Sequence, residues 1–133
     1  MFSPVKILIV LVALLATASA KCYKEGKHGN WGHGLDAVDG INKACTFFIG
    51  TYMVGESRQF CVEEFNKTKW NFELKNVGWD IRSIGVEQCT SGMSKEVHGC
   101  SHGGHRKYWR WQYRADPNWG YCKQHIPPPD DLD

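Results

Sequence analysis

The chain has 133 residues, with 16 Lys and Arg against 14 Asp and Glu. This near balance disfavours a protein that coats nucleic acid or an anionic membrane, because such proteins usually carry a clear basic excess. All six cysteines and all six tryptophans follow residue 20, and the length fits one small domain. We therefore expect neither a nucleic-acid nor a membrane partner.

Residues 1–20 have the layout of a cleaved secretory signal peptide. Lys6 precedes an apolar run from Ile7 to Leu15, and small residues then end at Ala20. A membrane anchor is the alternative, but the run is well short of the roughly 20 residues needed to span a bilayer. We predict a secreted, extracellular protein with one domain over residues 21–126.

The cysteine count predicts three disulfide bonds, because small exported domains use bridges to compensate for a small core. Six cysteines allow fifteen pairings, and the sequence does not choose among them. A zinc site is the competing interpretation, and the lack of any Cys-x-x-Cys pair disfavours it. The predicted bridge-forming residues are Cys22, Cys45, Cys61, Cys89, Cys100 and Cys122.

The first half of the domain predicts a short strand at residues 22–23, a glycine-rich loop over 26–34, a helix and a hairpin. Apolar residues recur at helical spacing from Leu35 to Cys45. Trp70, Phe72 and Leu74 alternate with polar residues, which is typical of a strand with one buried face. Residues 59–76 are therefore predicted to form the hairpin.

The second half predicts a helix, a last strand and a tail. Asp80 is the predicted N-cap of a helix that Gly92 divides and that Gly99 ends as a C-cap glycine. Residues 108–114 alternate as a strand with Trp109 on its aromatic face. Residues 127–133, three prolines followed mainly by acids, are predicted to be a disordered, solvated tail.

These elements follow one another as strand, helix, hairpin, helix and strand. That is the ferredoxin-like order, so the predicted fold class is α+β. The expected architecture is a small disulfide-stapled two-layer sandwich, in which a four-stranded antiparallel sheet carries two helices.

Few residues indicate catalysis or metal binding. Asn66-Lys67-Thr68 is an N-glycosylation sequon at the predicted hairpin turn, so Asn66 is a predicted modification site. Because His102 and His105 lie in a glycine-rich loop, we expect exposed histidines, no metal and no cofactor. No nucleophile motif is present, although a ribonuclease could be assembled from His, Glu and Arg without a linear motif.

Two segments near the carboxyl terminus carry a family resemblance. They are Gly99-Cys100-Ser101-His102-Gly103-Gly104 and Arg114-Ala115-Asp116-Pro117-Asn118-Trp119-Gly120-Tyr121-Cys122. Together with the aromatic strand between them, they resemble a family of small secreted fungal proteins. Its best-known member is a glycan-binding protein of an ink-cap mushroom. The resemblance extends over most of the domain, and it implies a glycan ligand and no catalytic activity.

The residue types of this region are compatible with sugar binding. Aromatic rings stack on sugar C–H faces, and planar polar groups take pairs of hydroxyls. The predicted glycan-binding residues are Arg114, Asp116, Asn118 and Trp119. The alternative is structural: Asp-Pro-Asn-x-Gly is typical of a turn, which would here position Cys122 for its bridge.

We therefore predict a monomeric, secreted, lectin-like protein of fungal type that is not an enzyme. Two alternatives come from other classes: an effector or toxin-like protein acting on a host or competitor protein, and a small ribonuclease. A shallow aromatic pocket rimmed by Asp and Asn would favour the lectin, and a basic groove with converging His and Glu the ribonuclease. A flat, exposed apolar patch would favour the effector.

Overall fold

The computed structural model describes residues 21–29, 35–64 and 67–123. The predicted signal peptide, part of the glycine-rich loop, Asn66 and the predicted tail lie outside these residues. The strands are β1 (Lys21–Cys22), β2 (Gly50–Tyr52), β3 (Ser57–Glu64), β4 (Thr68–Asn76), β5 (Arg82–Ile84), β6 (Gly104–Tyr108) and β7 (Trp111–Trp119). The helices are α1 (Leu35–Phe48) and α2 (Val86–Gly99).

The strands form two antiparallel sheets. The main sheet has five strands in the order β1-β6-β7-β4-β3, and β2 pairs with β5 in a separate ribbon. The predicted α+β class, with two helices and an antiparallel sheet, is confirmed. The element order differs from the predicted ferredoxin-like one, since β2 and β5 flank the predicted hairpin and the segment after α2 forms two strands, β6 and β7. The main sheet therefore has one strand more than predicted.

One face of the main sheet is covered and the other is open. Along β4 every second residue is buried, and the buried set includes Trp70, Phe72 and Leu74. These side chains share one core with residues of both helices, among them Ile41 and Met93. We call this side of the sheet the inner face. The opposite, outer face carries the polar residues of β3, β4 and β7.

Gly92 brings α2 close to the sheet. A Cβ atom at this position would lie 2.3 Å from the Tyr113 ring, so only glycine permits the observed packing. The predicted division of the helix at Gly92 is therefore wrong, since α2 is continuous through it. Gly99 is the last residue of α2, and the C-cap residue is Cys100 in an extended conformation.

All six cysteines form disulfides, as predicted. Cys22–Cys100 joins β1 to the end of α2, Cys45–Cys89 joins the two helices, and Cys61–Cys122 joins β3 to the segment after β7. Among the described residues no cysteine is free. The two helices and both ends of the described chain are thus linked covalently to their neighbours.

The start of the second helix differs from the prediction. α2 begins at Val86 after Gly85, and the Asp80 side chain accepts hydrogen bonds from Arg82 instead of capping a helix. Residues 82–84 form β5, whose Ser83 hydroxyl lies 2.7 Å from that of Thr51 on β2. The apolar spacing that indicated a helix here could not reveal this distant pairing partner.

The predicted strand over 108–114 is a hairpin. Residues 109–110 form a two-residue turn between β6 and β7, and Tyr108 pairs with Trp111. Trp109 is therefore exposed at the turn, whereas Trp111 and Tyr113 are buried on the inner face. The alternation of Trp109, Trp111 and Tyr113 begins in the turn and continues into β7, so it did not mark the turn.

Candidate functional site

The predicted glycan-binding residues lie on β7, in a strand and not in a turn. Residues 116–119 continue the ladder with β4, where Asp116 pairs with Asn71 and Pro117 with Trp70. Pro117 is tolerated because the ladder between β6 and β7 ends at Ala115, so its missing N–H is not needed on that side. The strand ends at Trp119, and Gly120 follows it with φ 106°. The turn interpretation is thus wrong for residues 116–119.

The alternation of β7 separates the four residues. Arg114, Asp116 and Asn118 lie on the outer face, since successive side chains of a strand point to opposite sides. Trp119 belongs to the other side, where the Lys27 ammonium lies 4.0 Å from the centroid of its ring. The structure therefore brings three of the predicted residues together and leaves Trp119 apart from them.

Neighbouring strands extend this polar surface in register. Glu73 of β4 lies beside Arg114, and Gln59 of β3 lies beside Glu73. In the next row, Asn71 lies between Asp116 and Cys61. A patch of planar carboxamide, carboxylate and guanidinium groups thus covers three adjacent strands.

Hydrogen bonds and an ion pair fix these groups. Gln59 donates to the Glu73 carboxylate at 2.9 Å, and Asn118 donates to the Asn71 side-chain oxygen at 2.8 Å. The Arg114 guanidinium lies 3.6 Å from the Asp116 carboxylate. The side chains are therefore oriented before a ligand arrives, which reduces the entropy cost of binding.

The segment after β7 forms a wall beside the patch. The Cys61–Cys122 bridge holds this segment against β3, and the Cys122 N–H donates to Glu63 at 3.3 Å. At the β3 edge of the sheet, the ring of Phe47 from α1 stacks on that of Phe60, which lies on the inner face, with the ring centroids 4.9 Å apart. The walls and the polar floor enclose a half-open cleft of about 1020 Å³, a size suited to a small molecule or an oligosaccharide.

Tyr23 and His105 lie at the opposite margin of the outer face. Their ring centroids are 5.6 Å apart, and the Arg114 guanidinium lies 6.0 Å from the Tyr23 ring. Burial raises the pKa of Tyr23 and the Asp116 carboxylate adds to the rise, while Arg114 opposes it. The neutral phenol can therefore donate a hydrogen bond at physiological pH.

Sequence reasoning missed Gln59, Asn71, Glu73, Tyr23 and His105 as members of this surface. The alternation of β4 does indicate that Asn71 and Glu73 share a face. However, their position beside Asp116 and Arg114 depends on the register between β4 and β7, which are separated by 34 residues of intervening chain from Val77 to Arg110.

The four histidines that the structure describes do not gather around a common point. The centroids of the His28 and His102 rings lie 3.8 Å apart with the rings tilted by 53°, and His102 Nδ1 lies 3.0 Å from the Gly26 carbonyl oxygen. His98 lies in the last turn of α2 and His105 on β6. Within residues 21–29, 35–64 and 67–123, no group of three or more His, Cys, Asp or Glu is placed to hold a metal ion.

Comparisons with known proteins do not assign this chain to a family. Neither the protein-family models nor the curated proteins contain a match to this chain. Within the described part of the chain, neither helix is long and apolar enough to cross a bilayer. The residues of the cleft are therefore the basis for assigning a function.

Proposed function

We propose that this protein is a secreted carbohydrate-binding protein whose site is the outer-face cleft. The observation that carries the proposal is the row of planar polar groups on three adjacent strands beside an aromatic edge. Gln59 and Asn71 each offer a carboxamide donor and acceptor, and Asp116 offers two acceptor oxygens, groups that can take pairs of vicinal sugar hydroxyls. Phe47, whose side chain is about half exposed, offers an apolar ring for the C–H face of a sugar, and Phe60, which packs against the core, supports that ring.

The charges of the cleft favour a neutral ligand. Its acidic groups are Glu63, Glu73 and Asp116, and its basic groups Lys69, Arg114 and Lys123. Because these charges balance, the cleft has no net field that would attract a polyanion. A neutral or weakly charged glycan fits this surface better than a phosphate chain does.

The disulfides support secretion. Three bridges in so small a domain are typical of an oxidising compartment, and residues 1–20 have the composition of a signal peptide. A protein exported in this way meets cell-surface and cell-wall glycans.

A glycan array on the purified mature protein tests the proposal, followed by titration of the best ligand with two variants. We expect Gln59→Ala and Asp116→Ala each to weaken binding about tenfold, because each removes a hydrogen bond to the sugar. Gln112→Ala is the control, since Gln112 lies on the same outer face of β7 but does not line the cleft. Absence of any ligand, or an equal loss in the control, would contradict the proposal.

A second function is favoured by one further observation, the alignment of His105, Arg114 and Glu73 on neighbouring strands. His105 and Glu73 lie two strand spacings apart, about 10 Å between their backbones, with Arg114 between them. In a ribonuclease, Glu73 would take the proton of the ribose 2′-hydroxyl as this oxygen attacks the phosphorus. His105 would protonate the leaving 5′-oxygen, and Arg114 would bind the phosphate.

The ribonuclease ranks second because Arg114 is already paired with Asp116 and the cleft is not basic. Incubation with single-stranded RNA tests it directly. If it is correct, the wild-type protein yields cyclic phosphate products, and Glu73→Gln or His105→Ala lowers the rate at least about 100-fold. If the wild-type protein releases no such products, this function is wrong and glycan binding is unaffected.

A further inference from the structure

Large apolar side chains are exposed together at one end of the molecule, away from the cleft. They belong to three turns: residues 53–56 between β2 and β3, 77–81 between β4 and β5, and 109–110 between β6 and β7. We call this end the Trp–Arg tip. Its apolar members are Trp79 (75% exposed), Trp109 (74%), Met53 (60%), Ile81 (57%) and Val54 (54%).

The buried side chain of Asn76 ties the turns together. Its amide nitrogen donates to the carbonyl oxygens of Met53 at 3.2 Å and of Asp80 at 2.9 Å, and its side-chain oxygen accepts from Gly78 N–H at 3.0 Å. The third turn is attached through the Val77 N–H, which donates to the Arg110 carbonyl oxygen. The exposed residues therefore stand on a fixed backbone.

Two arginines accompany the two tryptophans. The Arg110 guanidinium lies 3.8 Å from the centroid of the Trp79 ring, and that of Arg82 lies 5.6 Å from the centroid of the Trp109 ring. Both arginines share a single carboxylate, Asp80, at 3.6 and 3.2 Å. The group of two arginines and one aspartate thus keeps a net positive charge.

The basic character continues along the outer face next to the tip. Lys75 of β4 and Lys107 of β6 both pair with Gln112, so they flank it on the same face. Besides Asp80, the three turns contain one acid, Glu56, whose carboxylate accepts hydrogen bonds from the Arg58 side chain and the Met53 N–H. The overall charge balance, from which the sequence predicted no membrane partner, conceals this local basic excess.

Trp109 occupies a backbone position that does not suit it. Its φ is 64°, and it is the first central residue of a two-residue hairpin turn. Glycine is preferred there, because a bulky residue at positive φ is strained. Trp109 thus combines a strained backbone with a ring that is 74% exposed, a combination that folding alone does not explain.

We propose that the Trp–Arg tip docks on the surface of an anionic phospholipid bilayer. Tryptophan rings partition to the interface between headgroups and acyl chains. Met53, Val54 and Ile81 would enter the apolar boundary, while Arg82 and Arg110 meet the lipid phosphates. A nucleic acid would use the rings and the arginines but would leave these aliphatic side chains in water.

Vesicle binding measured by co-sedimentation and tryptophan fluorescence tests this docking. The probes are vesicles of phosphatidylcholine alone and of phosphatidylcholine mixed with phosphatidylglycerol. We expect binding and a blue shift with the anionic vesicles, and weaker binding as salt is added. Asp80→Asn should strengthen binding about fivefold, since it removes the carboxylate that neutralises part of the tip.

Trp109→Gly is the decisive variant, because glycine suits the turn and the fold should be retained. We expect it to weaken vesicle binding about tenfold through loss of the buried ring. Trp119→Ala is the matched control, with a ring that is 70% exposed on another part of the surface. Docking at the tip is contradicted if the wild-type protein binds no vesicle. That is the result expected if the partner of the tip is a protein instead of a bilayer. It is also contradicted by equal binding to neutral vesicles or by an equal loss with Trp119→Ala.

Discussion

Glu96 on α2 is the residue whose environment least suits its charge. Its side chain is fully buried, and neither carboxylate oxygen has a hydrogen-bond partner. Burial raises the pKa of Glu96, and the charges of Arg106 and Lys95 only partly oppose the rise. A group that holds its proton more tightly when folded destabilises the fold as the pH rises from its unfolded pKa through its raised folded pKa.

Replacing Glu96 with methionine should therefore stabilise the protein at neutral pH. We expect the free energy of unfolding at pH 7 to rise by about 1–3 kcal/mol, the cost of an unsatisfied buried polar group. The gain should shrink near pH 3, where the carboxyl group is protonated in both states. Urea unfolding at the two pH values measures both effects. A loss of stability at pH 7 would instead show that Glu96 is ionised and held by Arg106.

Two tyrosines should resist alkaline titration. Burial raises the pKa values of Tyr52 and Tyr113 to about 12 each. The Tyr52 hydroxyl also donates to the Phe48 carbonyl oxygen at 2.6 Å. Tyrosinate absorbance should therefore show at least two of the five tyrosines ionising well above pH 10, and stability should fall as the pH rises from 10 towards 12. Titration of all five near pH 10 would contradict the burial of these rings.

At the scale of elements, the contact between α2 and β7 depends on Gly92. Gly92→Ala would gain roughly 1 kcal/mol of helix propensity, but its Cβ would overlap the Tyr113 ring. We expect a net loss of about 1–3 kcal/mol in the free energy of unfolding, typical of overpacking. Gly99→Ala is the control in the same helix, because a Cβ there meets nothing within 4 Å. Equal stabilities for the two variants would contradict close packing at Gly92.

The sequence predicted elements best where the evidence is local. The period-two pattern of Trp70, Phe72 and Leu74 identifies β4 because successive side chains of a strand alternate between the core and the opposite face. By contrast, β5 exists only because it pairs with β2, and no pattern within residues 82–84 indicates that partner. The same limit applies to the site: the spacing of Arg114 and Asp116 puts them on one face of a strand. Their position beside Glu73 and Asn71 requires a register that only the folded chain has.

At the scale of the whole molecule, the three disulfides should be structurally essential. Cys45→Ala with Cys89→Ala removes the bridge between the helices, and we expect it to cost about 2–5 kcal/mol of stability. Both sulfur atoms are buried, so the variant would also leave a gap between α1 and α2. Thermal unfolding of the oxidised protein and of this double variant gives the difference. Two identical melting curves would show that the bridge contributes nothing.

The two surfaces of the molecule are separate enough to be tested in one experiment. The cleft carries side-chain amides at Gln59 and Asn71, whereas Trp79 and Trp109 mark the tip and Trp119 lies apart from both. Each of these groups gives its own N–H signal in a nitrogen-proton correlation spectrum. The N–H signals that shift when a ligand binds therefore show which surface it occupies.

Titration of the best array glycan into labelled protein, followed by this spectrum, tests the central claim most directly. If the cleft is the glycan site, the amide signals of Gln59 and Asn71 shift on binding while the indole signals of Trp79, Trp109 and Trp119 do not. Shifts confined to one or more of those indoles would contradict the claim and place the glycan elsewhere on the molecule.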